Sequence, residues 1–220
     1  MHRIPEPELM TDPEQARAYA AADFSEAHDH FIDQFRAHFP DFAGTGVVLD
    51  LGCGPADISI RFARAYPDCH VLGIDGARAM LDEGARAVTA ACLQARIQLQ
   101  QGYLPGLALP AGDYSAVISN SPLHHMCQPM FFWQTVLKVL PVGQPLCVMD
   151  LVRPEDTAAV DRLVAHHAAD APAVLRHDFR HSLLAAYRPE EIDRQLHTAG
   201  LAHLSAERIS DRHWLVAGAR

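Results

Sequence analysis

With 220 residues, 49% of them apolar and 20% charged, the chain has the balance of a globular domain that buries a real core, which excludes a disordered polymer. A net charge of −9 without a basic tract disfavours a nucleic-acid substrate held by its phosphates. No run approaches the roughly 18 consecutive apolar residues of a membrane-spanning helix.

The first residues, MHRIPEPELMTDPEQ, are polar and punctuated by proline, and they lack the apolar stretch of a secretory leader. Residues 13–39 read as helical. Ala16, Tyr19, Ala20 and Asp23 precede an amphipathic run of Phe24, His28, Phe31, Ile32, Phe35 and Phe39, spaced by threes and fours. Pro40, Gly44 and Gly46 close that region. The apolar run Val47-Val48-Leu49-Asp50-Leu51, ended by Gly52-Cys53-Gly54-Pro55, reads as a buried parallel strand.

Strands and helices then alternate. A helix is expected over 57–66, a strand over 70–75, a helix over 77–92, a short strand over 97–100 and another over 114–119. A helix over 130–140 and a strand over 146–151 follow. This alternation predicts a doubly wound α/β, Rossmann-like sheet. After a helix at 189–199, the segments Leu201–Ile209 and His213–Gly218, joined at Ser210-Asp211, predict a terminal hairpin that brings antiparallel pairing to a mostly parallel sheet.

Ligands of such sheets bind beyond the carboxyl ends of the strands, and three of those ends carry suggestive residues. Asp50-Leu51-Gly52-Cys53-Gly54 can turn sharply and let a ligand approach the backbone. Asp75, 21 residues beyond Gly54, can accept both hydroxyls of a ribose. Asn120-Ser121-Pro122 ends the strand over 114–119. A glycine turn alone is a weak signal, and an NAD-binding unit also places an acid about 20 residues on. Against NAD, Asp57 stands where the third glycine of that fingerprint belongs, and Asp50 precedes the turn where dinucleotide folds keep an apolar residue.

The stretch VVLDLGCGPADISIRFARAYPDCHVLGIDGARAMLDEGA resembles the first motif through the acidic loop of class I S-adenosylmethionine-dependent methyltransferases, especially their quinone-methyltransferase-like, small-molecule group. The resemblance covers about residues 45–151, with a looser match over 189–219. It implies S-adenosylmethionine as cofactor, with S-adenosylhomocysteine as product, and a methyl acceptor that is a small molecule. Gly52, Cys53 and Gly54 would border the methionine part of the cofactor, with Asp50 orienting that loop or meeting the amino group. Asp75 would hold the ribose, Gly76 and Ala77 would lie beside the adenine, and Asn120 and Ser121 would lie near the transferring methyl. Relatives usually carry Gly-Asp after the third strand. Here Gln101-Gly102-Tyr103 stands there, so adenine would meet a backbone carbonyl, Gln101 or the Tyr103 ring.

His124 and His125, just past the fourth strand, are candidate general bases, with His125 preferred, although they can equally cap the strand. Residues 1–44 are expected to form a helical lid and 45–220 the methyltransferase domain, with 155–187 as a helical insertion on the substrate side. In the lid Tyr19, and in the insertion Arg176, Arg180 and Tyr187, are the candidate substrate contacts, a guanidinium being able to hold a carboxylate or phosphate. Asn120-Ser121-Pro122-Leu123 also resembles, at one remove, the Asn-Pro-Pro-aromatic motif of nitrogen methylation, without its second proline or aromatic residue. Nucleic-acid or protein acceptors are therefore the minority reading. Fourteen histidines show no carboxylate–histidine ligand pattern, so no metal is expected. Five scattered cysteines without a CxxC pair point to reduced thiols and a cytoplasmic setting. Oligomeric state is not legible, a homodimer being one option.

Overall fold

The computed structural model describes residues 1–6, 9–110 and 113–220. The strand-like runs form strands β1 (Thr45–Leu51), β2 (Asp68–Asp75), β3 (Ile97–Gln101), β4 (Ala116–Asn120) and β5 (Pro145–Leu151), all parallel. A two-residue β6 (Glu207–Arg208) and β7 (His213–Ala219) complete the sheet in the order β3-β2-β1-β4-β5-β7-β6, with β7 antiparallel to both β5 and β6. The expected doubly wound, mostly parallel sheet with an antiparallel C-terminal hairpin is therefore present.

One expected strand is much shorter than predicted. Of residues 201–209 only Glu207–Arg208 form a strand against β7, with the Ile209 N–H adding one bond to the His213 carbonyl. Leu201, Leu204 and Ala206 are buried, but the Leu201 N–H donates to the Leu196 carbonyl and that of Ala206 to the Asp193 carboxylate. The apolar pattern there records side chains filling the core from a loop whose backbone bonds lie outside the sheet.

The helices are α1 (Pro13–Ala20), α2 (Ser25–His38), α3 (Asp57–Ala65), α4 (Arg78–Ala90), α5 (Met130–Val139), α6 (Thr157–His167), α7 (Ala173–Ala185) and α8 (Pro189–Ala199). The helical region expected over 13–39 is two helices, parted where Asp23 accepts a hydrogen bond from the Ser25 N–H at the start of α2. Strand residues alternate between two cores. Leu49, Leu72 and Val117 face Trp133 and Val136 of α5 and Leu196 of α8. Val48, Val71 and Ile118 face Phe31 and Phe35 of α2 and Phe62 of α3. Among the described residues no helix is long and apolar enough to cross a membrane.

The chain steps from β1 outward through β2 and β3, then returns to place β4 on the other side of β1. The crevice between the carboxyl ends of β1 and β4 is thus the topological switch point. The helical hairpin α6–α7 packs beside the end of β5, burying Leu151 with Val160, Leu183 and Leu184. Residues 1–6 run across it as a strap, the Ile4 N–H donating to the Leu184 carbonyl.

Candidate active site

A cleft of about 1410 Å3 opens over that switch point, bordered by the strap, α1, α2, α7 and the ends of β1, β2 and β4. Its floor is the turn after β1. The N–H groups of Gly52 and Cys53 both donate to the Ile74 carbonyl, at 2.8 and 2.9 Å, which ties the turn to β2. Gly52 has φ +75°, and an ideal Cβ there would stand 2.4 Å from the Pro122 Cβ. Glycine is required here first by the close approach of the β4 loop. At Gly54, also left-handed at φ +52°, the nearest obstacle to a Cβ is the Met80 methyl at 3.8 Å, so this residue leaves room above it. The Cys53 side chain is buried and turns down toward Gly73 of β2.

Asp75, at the end of β2, accepts hydrogen bonds from the Gly54 N–H (2.9 Å) through one oxygen and from the Ala77 N–H (2.8 Å) through the other. Burial raises its pKa, and those two donors restrain the rise. A carboxylate has about four lone-pair positions, so each oxygen keeps acceptor capacity toward the cleft. Asp50 lies beneath the turn, 1% exposed, and accepts a 2.6 Å hydrogen bond from the Ser59 hydroxyl of α3. Burial pushes its pKa up to about 7, against the Ser59 bond and with some help from the Asp75 charge. Of the two roles expected for Asp50, anchoring the loop to the helix behind it is the visible one.

At the end of β4 the Asn120 Oδ1 is buried and has no hydrogen-bond partner among the described residues. Ser121 is left-handed at φ +66°, and its N–H donates to the Met149 carbonyl of β5. Both line the cleft. At its far side the Gln101 amide donates to the Gly76 carbonyl (2.9 Å) and the Tyr103 hydroxyl (2.8 Å), which draws these residues together at one rim. An ideal Cβ on Gly76 would meet the end of the Leu9 side chain at 2.6 Å and the Tyr103 ring at 3.2 Å, so the rim is tightly drawn there.

His124 and His125 occupy a single 3-10 turn, Leu123–His125, after β4. Their rings stack with centroids 4.1 Å apart. The His124 Nδ1 is 2.5 Å from Asp150 Oδ1 of β5. Burial opposes a charged imidazole, but the Asp150 charge and hydrogen bond outweigh it and raise the pKa. Burial likewise opposes the Asp150 carboxylate, and His124 holds its pKa low nonetheless. The His125 side chain is 28% exposed and faces the cleft.

Glu6, from the strap, closes the far side of this pair. Its Oε1 lies 3.5 Å from His124 Nε2 and 3.2 Å from His125 Nδ1. The sequence shows no carboxylate–histidine set because Glu6 is distant in the chain and sits in a segment with no periodic pattern. Arg3 delivers it, its guanidinium donating to the carbonyls of Ala185, His124 and Met126 and lying 4.2 Å over the Tyr187 ring.

The expected substrate contacts divide. Tyr19 lines the cleft beside Phe24 at 4.7 Å, and burial pushes its hydroxyl up to about 12. Arg176, Arg180 and Tyr187 do not line it. Arg176 is exposed, and Arg180 pairs with Asp161 of α6 at 3.0 Å. They sit one helical turn apart on the face of α7 that turns away. The opposite face offers His177, Asp178, His181 and Ser182 to the cleft. Tyr187 is buried under Arg3, its hydroxyl spent on the Met126 carbonyl.

Residues 48–143 match a family model described as a methyltransferase domain. A ubiquinone/menaquinone biosynthesis C-methyltransferase of Syntrophotalea carbinolica is 30% identical over 112 residues, 51% of this chain and 46% of that protein. A 27-O-demethylrifamycin SV methyltransferase of Amycolatopsis mediterranei is 26% identical over 86% of this chain and 66% of its own length. The chain thus spans about half the length of the quinone-pathway relative. Among solved structures, an S-adenosylmethionine-dependent methyltransferase from Aquifex aeolicus superposes with a TM-score of 0.66 at 16% identity, over 94% of this chain and 97% of that one. At that identity the likeness is one of fold.

Proposed function

We propose that this chain, whose residues 48–143 match a methyltransferase-domain model and whose relatives include a quinone-pathway C-methyltransferase, is a class I S-adenosylmethionine-dependent methyltransferase that moves a methyl group from that cofactor to a nucleophilic atom of a small molecule. The observation that carries this reading is the pairing of Asp75 with the Gly52–Gly54 turn, in the same cleft as a buried Asn120 oxygen that has no hydrogen bond among the described residues. When bound, the cofactor supplies an already activated sulfonium methyl. The chain itself has only to hold, orient and desolvate the reactants and to receive a proton where the acceptor has one.

The residues fit such a group. Asp75 has acceptor capacity left for ribose hydroxyls after its two backbone bonds. Gly54 leaves backbone open to the methionine part. Asn120 offers its buried oxygen to a donor such as the cofactor's amino group. Gly76 and Tyr103, which line the cleft and are tied together by the Gln101 amide behind them, form a rim that an adenine can lie against. On the acceptor side His125 opens onto the cleft and takes the proton, while Asp150 holds the His124 ring behind it. Tyr19 of α1 and Phe24, which line the cleft, cover the site as a lid, while the rest of α2 packs in the core.

Small-molecule acceptors are favoured because the cleft is roofed by the strap, α1 and α7 and carries acidic groups, among them Glu6, Asp12 and Asp178. Calorimetric titration with S-adenosylhomocysteine, with NAD in parallel, tests the reading. Micromolar binding of the former alone supports it and opens a screen of hydroxyl, amine, thiol and activated-carbon acceptors. Binding of NAD alone overturns it.

A further inference from the structure

The geometry points to a divalent transition-metal site built from Glu6, His124 and His125, facing the acceptor side of the cleft. One ligand atom from each, Glu6 Oε1, His124 Nε2 and a His125 ring nitrogen, comes within 4.8 Å of the other two. The carboxylate oxygen stands 3.5 Å from His124 Nε2 and 3.2 Å from His125 Nδ1. Ligand atoms bound at about 2.0–2.1 Å to a tetrahedral ion stand roughly 3.3 Å apart. The three donors are thus already spaced as ligands around a common centre.

Two further observations separate this arrangement from an ordinary ion pair. First, Glu6 Oε1 is buried and makes no hydrogen bond among the described residues, although two imidazoles lie beside it. The Glu6 side chain is 91% buried, since only 9% of it is exposed. A buried carboxylate oxygen turned to two ring nitrogens without bonding either is costly unless something sits between them. Second, His124 has the support that metal-binding imidazoles usually have. Its Nδ1–H donates to the Asp150 carboxylate at 2.5 Å, which fixes the tautomer and aims the Nε2 lone pair at the centre. Asp150 is itself held by the N–H groups of Leu123, His124 and Leu151.

Two imidazoles and one carboxylate suit a divalent first-row ion, with Zn2+ the first candidate and Fe2+, Co2+ or Mn2+ as alternatives. Three protein ligands leave a position open, and all three residues line the cleft. An oxygen of the acceptor can take that position. In this form the inference rests on the methyl-transfer reading: with the ion bound, the histidine pair meets the acceptor through it, and His125 takes the proton directly only without the ion. Binding of the ion does not depend on that reading.

The experiment uses the whole chain, stripped by chelator dialysis and titrated with Zn2+ by calorimetry and with Co2+ by visible absorption. The expected result is one ion per chain with micromolar or tighter affinity and Co2+ bands of a low-symmetry nitrogen–oxygen site. Glu6→Gln and His125→Asn should each weaken binding at least tenfold. His177→Asn, which removes one ring of the His177–His181 stack on α7 (4.1 Å), should leave it unchanged. Circular dichroism checks that each variant is folded. Absence of Zn2+ binding, or binding that survives Glu6→Gln and His125→Asn, overturns the site. S-adenosylhomocysteine titrated into the same stripped samples keeps the two readings apart, since its binding without Zn2+ leaves methyl transfer standing and removes only the metal.

Discussion

The Asp150 carboxylate of β5 holds the His124 ring at 2.5 Å and, in the same grip, the backbone of the turn that carries it. Its oxygens accept from the N–H groups of Leu123 (2.7 Å), His124 (3.2 Å) and Leu151 (2.6 Å) as well as from the ring. One buried side chain therefore positions both histidines over the cleft, which ties the site's geometry to the end of a core strand. Asp150→Ala should cost about 3–5 kcal/mol, because it leaves several buried donors unpaired and removes half of a buried ion pair. Urea denaturation measures this, and a loss under about 1 kcal/mol would mean that water or another group satisfies those donors.

Asp75 serves two partners at once, bracing the turn and facing the cleft. Asp75→Ala should weaken S-adenosylhomocysteine binding by roughly 1–3 kcal/mol through lost charge-assisted hydrogen bonds to the ribose. Calorimetry on a variant shown to be folded gives the number. Unchanged affinity would leave the carboxylate as a brace for Gly54 and Ala77 alone.

Gly52 and Gly143 separate crowding from backbone strain. Both have positive φ, +75° and +87°, but a Cβ at Gly52 meets Pro122 at 2.4 Å whereas one at Gly143 meets nothing within 4 Å. Gly143→Ala should cost about 1 kcal/mol, the strain of a left-handed alanine. Gly52→Ala adds the collision with the β4 loop and should cost at least about 2–3 kcal/mol, with cofactor affinity falling as Asn120 and Ser121 are pushed aside. Equal losses in thermal denaturation would show that the loop yields freely.

The central strands β1, β2 and β5 were legible because each holds an apolar run ending at an acid or next to one, and burial on both faces writes that pattern directly, whereas the edge strand β3 alternates with glutamines. The cleft's floor was legible for the same reason, since Gly52, Gly54 and Asp75 stand where strands end. Sidedness on α7 was not. Arg176, Arg180 and Tyr187 cluster in composition, yet 3.6-residue periodicity turns the two arginines away from His177 and His181. Nor was the strap. Arg3 works through main-chain carbonyls of Ala185, His124 and Met126, and a carbonyl has no side-chain signature. Glu6 thus reaches the histidines by a route that no spacing rule detects.

Two buried groups with opposite shifts set the response to pH. Burial, aided by the Arg212 charge, drives His213 of β7 down to about 3, and burial drives Asp50 up to about 7. Between pH 3 and the ordinary histidine value of 6.5, the unfolded chain takes up a proton that folded His213 refuses. Its contribution therefore falls as pH falls, by up to roughly 1.4 kcal/mol per pH unit. Between the ordinary aspartate value of 3.8 and pH 7, folded Asp50 keeps a proton that the unfolded chain has lost, so its contribution falls as pH rises, with the same limiting slope. Across about pH 4 to 6.5 the two oppose each other. His213→Gln should remove the first, so that across this window stability declines with rising pH relative to the parent. Asp50→Asn keeps an acceptor for Ser59 and should remove the second, so that stability climbs with pH relative to the parent. Urea midpoints taken through this range check both signs, and parent and variant curves that run parallel would show that neither group is held in the protonation state its burial demands.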